Sequence, residues 1–167
     1  MPLKTKDDER MNPALARWVA TFFRVGDFPF APGTAASAVG LVMAYYCRSN
    51  IWLYLGVLIL VTVLGFMTSG IVEKAMGKKD PGCVVIDEVS GIMISFLLIP
   101  VFSWPVMVAG FFLFRAFDMF KIYPEDKFEA MGGAKGIMLD DMMAGVYTNI
   151  VLQIGIRWAD GVHYRIV

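Results

Sequence analysis

The chain has 167 residues, of which 57% are hydrophobic and 18% charged, with a formal net charge of zero and a mean hydropathy of +0.61. Soluble domains are less apolar, at about 45–50%, and more charged, at about 25%, so this composition argues against a soluble domain and predicts a small integral membrane protein. The zero net charge gives no reason to expect a nucleic-acid partner, and the two cysteines suggest neither a disulfide framework nor a zinc site.

The N-terminal segment is polar, and we expect residues 1–13 to form a short cytoplasmic tail before a single membrane-embedded domain, residues 14–167. Asn12 followed by Pro13 predicts the start of a helix. The apolar residues that follow recur at helical spacing: Leu15, Trp18, Val19 and Phe22. With Arg17 on the opposite face, this pattern predicts an amphipathic helix on the membrane surface. The alternative is a soluble-type helix packed on the rest of the chain.

Five apolar segments follow the turn "GDFPFAPGT" at residues 26–34. Their approximate bounds are 34–48, 51–72, 83–100, 104–120 and 136–156. A membrane-spanning helix needs about 20 residues, with a range of about 17–25, so the first segment is short for a full span. The sequence therefore predicts an all-α, polytopic membrane bundle with an N-terminal interfacial helix and about five hydrophobic helices.

The charged and aromatic residues predict the orientation of this bundle. Lysines and arginines precede the first segment and occur in the two longer connections, residues 73–82 and 121–135. Five spans place all of these on one side, which the positive-inside rule assigns to the cytoplasm. Trp52, Trp104 and Trp158 fall at the opposite boundary, as expected for an interfacial aromatic belt.

Two acidic pairs lie near the predicted cytoplasmic ends of apolar segments. They are Asp87 with Glu88 in the third segment and Asp140 with Asp141 in the fifth. A charge inside a membrane costs about 2.5–3.5 kcal/mol near the helix centre, so these carboxylates should face the bundle interior and interact. Gly91 and Gly145 each follow an acid by four residues, which predicts close helix approach beside the acids.

Basic and small residues are expected at the same depth. Arg115, Asp118 and Lys121 share one face at the cytoplasmic end of the fourth segment. At the start of the first segment, Gly33 and Thr34 follow Pro32, and we expect Thr34 to cap a helix whose free N–H groups could bind an anion.

These residue types together suit a metal-dependent phosphate site. Hard divalent cations such as Mg²⁺ take carboxylate oxygens, whereas arginine and lysine hold phosphate oxygens. Simpler roles remain open for several of these residues. Arg115 and Asp118 could form a structural ion pair only, Asp87 or Asp140 could cap a helix or face water, and Thr34 could be a plain cap.

Four motifs in order resemble the phosphatidylglycerophosphatase A family over residues 14–156: "GDFPFAPGT", "VVIDEVSGI", "FRAFDMFKIYP" and "GGAKGIMLDDMMAGV". The resemblance implies a multi-pass enzyme of the bacterial inner membrane with its active site on the cytoplasmic side. It also implies a Mg²⁺-dependent reaction that removes the terminal phosphate of phosphatidylglycerophosphate to yield phosphatidylglycerol.

The resulting hypothesis assigns a role to each polar residue. The expected catalytic residues are Glu88, Asp118, Asp140, Asp141 and Arg115; the same four acids are expected to bind Mg²⁺, with Asp87 as a weaker candidate; and Arg115, Lys121, Thr34 and Gly33 are expected to bind the substrate phosphate. The substrate is a phospholipid in the bilayer, and the oligomeric state is not predicted. Whether water or a carboxylate attacks the phosphorus stays open.

Two other classes of function compete with this hypothesis. Buried acids also mark ion pathways, so the rival function is a small ion- or proton-coupled transporter. The outer halves of the predicted spans carry no charges, which disfavours a pathway across the membrane. A non-catalytic membrane scaffold would explain the helix packing but not the cost of so many buried acids.

Overall fold

The computed structural model describes residues 11–120 and 131–166, with side chains described as far as residue 159. All regular structure in these ranges is helical. The helices are α1 (Pro13–Ala20), α2 (Pro32–Cys47), α3 (Ile51–Met76), α4 (Ile86–Ser95), α5 (Trp104–Phe120) and α6 (Gly133–Ile166), with a 3-10 turn at Val25–Asp27. The predicted all-α architecture is confirmed for the described residues, where a short N-terminal helix is followed by five longer ones.

Helix α1 starts as the sequence predicts, because the Asn12 side chain accepts a hydrogen bond from the Ala14 N–H at 2.9 Å. Ala16 and Ala20 are fully buried, and the helix packs on α3. Leu15 and Trp18 remain about half exposed on the outer surface. The helix thus packs on the bundle with its small residues and leaves larger apolar side chains outside.

Among the helices in the described ranges, α3 is the one long and apolar enough to cross a bilayer by length and composition. Asn50 caps its start by accepting hydrogen bonds from the N–H groups of Trp52 and Leu53, at 3.0 and 3.2 Å. The helix continues to Met76 and ends at Gly77, which has a left-handed φ of 60°. It therefore runs further than the predicted segment 51–72.

Helix α4 is shorter than predicted, since it covers Ile86–Ser95 rather than residues 83–100. Its 10 residues span about 15 Å at about 1.5 Å per residue, about half of a hydrocarbon core of roughly 30 Å. Beyond it, Leu98 adopts a positive φ of 57°. The Asn149 side chain of α6 donates to carbonyl oxygens at the end of α4 and just beyond it: Ile94 at 3.3 Å, Ser95 at 3.1 Å and Leu97 at 2.8 Å. These bonds satisfy acceptors that would be costly to leave unpaired in apolar surroundings.

Helix α4 forms the centre of the bundle and contacts α2, α3, α5 and α6. Its closest neighbour is α6, and the two cross at glycines. A Cβ atom on Gly145 would collide with the carbonyl oxygen of Gly91, and one on Gly91 would lie 2.6 Å from the carbonyl oxygen of Asp141. The predicted close approach at both glycines is confirmed.

Large apolar side chains cover much of the outer surface of the bundle. The most exposed examples include Phe30, Tyr46, Trp52, Trp104, Phe120 and Trp158. So many exposed large apolar side chains are consistent with a surface that meets lipid or a partner.

Candidate functional site

The first acidic pair lies in the first turn of α4. Val85 precedes the helix without a side-chain cap, and Asp87 and Glu88 are its second and third residues. The Glu88 N–H donates to a carboxylate oxygen of Asp87 at 3.0 Å. Carboxylates are stabilised at this position because the N-terminal end of a helix carries a partial positive charge.

The crossing of α4 and α6 brings the second acidic pair to the first. Oxygens of Asp87, Glu88 and Asp141 lie within 4.8 Å of one another. We call these three residues the carboxylate triad. Asp87 and Asp141 are almost completely buried, at 6% and 5% exposure. Of the predicted metal ligands, Glu88 and Asp141 are therefore in the triad, and so is Asp87, the weaker candidate.

The donor set of the carboxylate triad fits a hard divalent cation. Three buried carboxylates at this distance repel one another unless a positive charge lies among them. In the described part of the chain, the buried Oε2 atom of Glu88 has no hydrogen-bond partner. A carboxylate oxygen buried without a partner is costly, and metal coordination would satisfy it. Oxygen ligands of this kind are those that Mg²⁺ prefers.

Arg115 connects the triad to the fourth candidate acid. Its Nη1 atom lies 2.7 Å from Oδ2 of Asp118, one turn further along α5, and 3.6 Å from Oε1 of Glu88. All three side chains are mostly buried. Asp118 is thus not one of the three triad members but holds the guanidinium beside them. Arg115 and Asp118 therefore form the ion pair that the simpler alternative predicts. Arg115 also contacts Glu88 of the triad.

The start of α2 packs directly on this arginine–glutamate pair. A Cβ atom on Gly33 would collide with Oε1 of Glu88 and would lie 3.3 Å from Nη1 of Arg115. Any other residue at this position would have to displace the Glu88 carboxylate, so glycine allows the first turn of α2 to approach this closely. Because Pro32 begins the helix, the N–H groups of Gly33 and the next residue have no acceptor within the helix.

The prediction that Thr34 caps α2 is wrong. The helix begins at Pro32, and the residue before it is Ala31, in a left-handed conformation with a φ of 48° and no side-chain cap. Thr34 is the third residue of the helix, and its side chain is exposed. Its hydroxyl therefore points to the surface. The group of Thr34 that can still bind an anion at the start of α2 is its backbone N–H.

Asp140 lies beside the triad rather than within it. Its carboxylate accepts a hydrogen bond from the Asp141 N–H at 3.0 Å. It also lines a small cavity with Lys79 and Asp80 from the connection between α3 and α4. Lys121, the remaining predicted phosphate ligand, lies outside the described residues.

Asp80 is a member of this acidic region that the sequence did not single out. It lies close enough to Asp87 and Glu88 to repel both carboxylates. The sequence offers little reason to select Asp80, because it lies in a charged loop, where carboxylates are usually solvated. Its place next to Pro81, directly before the third apolar segment, is the one feature that could have identified it.

Comparisons with known proteins identify the family of this chain. Residues 18–156 match the model of the family described as "Phosphatidylglycerophosphatase A". An Escherichia coli protein of that name is 35% identical over 147 residues, which cover 86% of each chain. Its Haemophilus influenzae namesake is 35% identical over 125 residues, covering 73% of this chain and 77% of the relative.

A third relative carries a different name. A Bacteroides thetaiotaomicron protein provisionally named phosphatidylinositol-3-phosphatase is 35% identical over 152 residues, covering 86% of this chain and 94% of its own. No solved structure matches the chain.

Proposed function

Because the chain belongs to the phosphatidylglycerophosphatase A family, we propose that it hydrolyses the terminal phosphate ester of phosphatidylglycerophosphate and releases phosphatidylglycerol. It is a phosphoric monoester hydrolase. The names of the relatives share one chemistry, a phosphomonoester on a phospholipid headgroup. The reaction proposed here would complete the synthesis of an anionic membrane lipid.

One observation carries this proposal, namely that the carboxylate triad and Arg115 meet in one buried layer. Among the described residues, four helices contribute to this layer. Helices α4 and α6 supply its acids, α5 supplies Arg115, and the start of α2 brings backbone N–H groups beside them. A buried ion pair alone would not require three further acids nearby, since their mutual repulsion destabilises the fold. A site that binds a metal and a phosphate gives every one of these charges a partner.

We assign the phosphate-binding role to Arg115 and to the first turn of α2. The guanidinium presents several N–H donors in one plane, which match phosphate oxygens. Asp118 holds the guanidinium beside the triad through an ion pair of 2.7 Å. Gly33 brings free backbone N–H groups to the same place, and such groups at a helix start bind anions. Lys121 completes this role in the proposal.

Mg²⁺ is the proposed cofactor, held by Asp87, Glu88 and Asp141, with Asp140 beside them. When bound, such an ion polarises the phosphoryl oxygens and lowers the pKa of water. The chain's own acids then orient the attacking water and accept its proton. The bond that forms joins the water oxygen to phosphorus. The bond that breaks joins phosphorus to the glycerol oxygen, which leaves with a proton.

The membrane position of the site follows from the same proposal. The apolar outer surface of the bundle would face lipid, with the carboxylate triad near the cytoplasmic boundary of a bacterial inner membrane. A lipid substrate could then keep its acyl chains in the bilayer while its headgroup reaches Arg115. The site needs no deep water-filled pocket for this purpose.

A phosphate-release assay tests the proposal. Purified protein in neutral-detergent micelles should release phosphate from phosphatidylglycerophosphate only when a divalent cation is present. Phosphatidylinositol 3-phosphate serves as the second substrate, because one relative carries the name of that activity. Faster turnover of the inositol lipid would reassign the substrate, and full activity in excess chelator would refute the metal site. Ion flux in liposomes without any phosphatase activity would instead favour a transporter.

A further inference from the structure

The turn after α1 has an unusual backbone. Phe22, Phe23 and Arg24 all have positive φ values, at 45°, 56° and 74°. Left-handed conformations are unfavourable for residues other than glycine, because the Cβ atom crowds the backbone carbonyl oxygen. Thr21 supports the turn, because its hydroxyl accepts a hydrogen bond from the Arg24 N–H at 3.2 Å. Strain of this kind persists where a local geometry is needed, and here it returns Arg24 toward α1.

The turn brings two arginines to one aspartate. Nη2 of Arg17 lies 2.7 Å from one carboxylate oxygen of Asp27, and Nε of Arg24 lies 3.3 Å from the other. Each guanidinium has five N–H donors, so most of them remain available for another acceptor. Two positive charges against one negative charge leave the cluster with a net charge of +1.

A concave surface lies beside these charges. A cavity of about 210 Å³ is lined by Ala14, Arg17, Trp18, Thr21, Arg24 and Asp27. The rings of Trp18 and Phe23 meet edge to face, 4.5 Å apart, and both are about half exposed. An apolar edge therefore adjoins a positively charged cavity. Arginine next to an exposed tryptophan is the combination expected where a protein meets the headgroup region of a bilayer.

We propose that Arg17 and Arg24 form a second phosphate-binding site, which holds the phosphodiester group of an anionic phospholipid. The guanidinium groups donate to the phosphate oxygens, and Trp18 with Phe23 contacts the glycerol and upper acyl region. Asp27 bridges the two arginines and neutralises part of their positive charge while no lipid is bound. The site uses residues other than those of the carboxylate triad, and its binding test does not depend on the proposed reaction.

This second site lies at the same end of the bundle as the triad. The Val85 N–H, just before α4, donates to the carbonyl oxygen of Ala20 at 3.0 Å. A Cβ atom on Gly26 would collide with the carbonyl oxygen of Cys83. The turn after α1, which carries Arg24, is thus packed on the segment that leads into Asp87. The phosphodiester could belong to the substrate itself or to a separate anionic lipid in the same leaflet.

Thermal unfolding in detergent tests the binding. Phosphatidylglycerol should raise the unfolding midpoint of the protein by more than phosphatidylcholine at the same mole fraction. The Arg17→Ala/Arg24→Ala variant should lose at least half of this difference. Arg48→Ala is the matched control, since Arg48 ends α2 at the other end of the bundle and stacks on Tyr45. It should keep the whole difference. High salt should reduce the difference, because exposed charges are screened.

An Asp27→Asn variant provides a second measurement if the double variant is poorly stable. Removing the carboxylate charge frees both guanidinium groups. The difference in unfolding midpoint between phosphatidylglycerol and phosphatidylcholine should therefore grow. A double variant that keeps the full difference, or an Asp27→Asn variant in which it fails to grow, would overturn the proposal. Activity then separates the two sources of phosphate. A raised KM for phosphatidylglycerophosphate in neutral micelles identifies the substrate's own phosphodiester, whereas loss of stimulation by added phosphatidylglycerol alone identifies a separate lipid.

Discussion

Gly145 of α6 lies against the backbone carbonyl of Gly91 in α4, with no room for a side chain between them. Each glycine follows an acid of the carboxylate triad by four residues, which is about one helical turn. Contact between the glycines therefore aligns Asp87 with Asp141 one turn away. The same crossing packs the bundle and assembles the triad.

Replacing Gly145 with alanine should separate the two helices. We expect a loss of about 1–3 kcal/mol in stability from overpacking, together with a large loss of activity. Gly155→Ala is the control in the same helix, because a Cβ atom there has open space; it should be neutral or stabilising by about 0.5–1 kcal/mol. Thermal unfolding and phosphate release measure both effects. Equal behaviour of the two variants would show that the crossing has no special role.

Asp141→Asn and Asp140→Asn should differ in their response to Mg²⁺. Asparagine has nearly the same shape but no charge, so both variants should reach the membrane at normal yield. Asp141 belongs to the triad, so its variant should lose at least about tenfold in apparent Mg²⁺ affinity, measured by activity and by the thermal stabilisation that Mg²⁺ produces. The Asp140 variant should lose activity with a smaller change in affinity. Asp160→Asn, later in the same helix, is the control. If Asp141→Asn keeps near-normal turnover at limiting Mg²⁺, the triad is not the metal site.

Arg115→Lys should test whether a planar guanidinium is needed. Lysine keeps the charge but cannot donate two parallel hydrogen bonds to a phosphate. Loss of a charge-assisted hydrogen bond costs about 1.5–3 kcal/mol, which corresponds to about 10- to 160-fold in kcat/KM. Arg157→Lys, an exposed residue of α6, should leave kcat/KM unchanged. A fully active Arg115→Lys enzyme would reduce Arg115 to a structural partner of Asp118.

The proposed orientation predicts which side of the membrane each loop faces. In a background without Cys47 and Cys83, a cysteine at Lys79 should react with impermeant reagents only from the cytoplasmic side. A cysteine at Ser103, just before α5, should react only from the outside. The reversed labelling pattern would place the carboxylate triad on the outer face of the membrane. It would then be away from lipid headgroups presented on the cytoplasmic side, which would contradict the proposed orientation.

The start of α1 was predictable from a local signal. The Asn12 side chain caps this helix as expected, since a capping bond joins residues only two or three positions apart. The start of α2 was not predicted correctly, because Thr34 lies inside that helix and no side chain caps it. The ends of helices were less predictable. At the end of α4, Asn149 of another helix donates hydrogen bonds to the carbonyl oxygens of Ile94 and Ser95. Such a contact is absent from any local pattern.

The sequence by itself determined that acids, an arginine and glycines would gather in one layer of an all-α bundle, because buried charge and small residues at helical spacing leave few other arrangements. Only the tertiary structure decided which acids form the triad. Neighbouring residues on a helix point about 100° apart, so the rotation of α6 at the Gly91–Gly145 crossing turns Asp141 toward Asp87 and leaves Asp140 facing Lys79 and Asp80. That rotation is set by contacts between residues far apart in the chain.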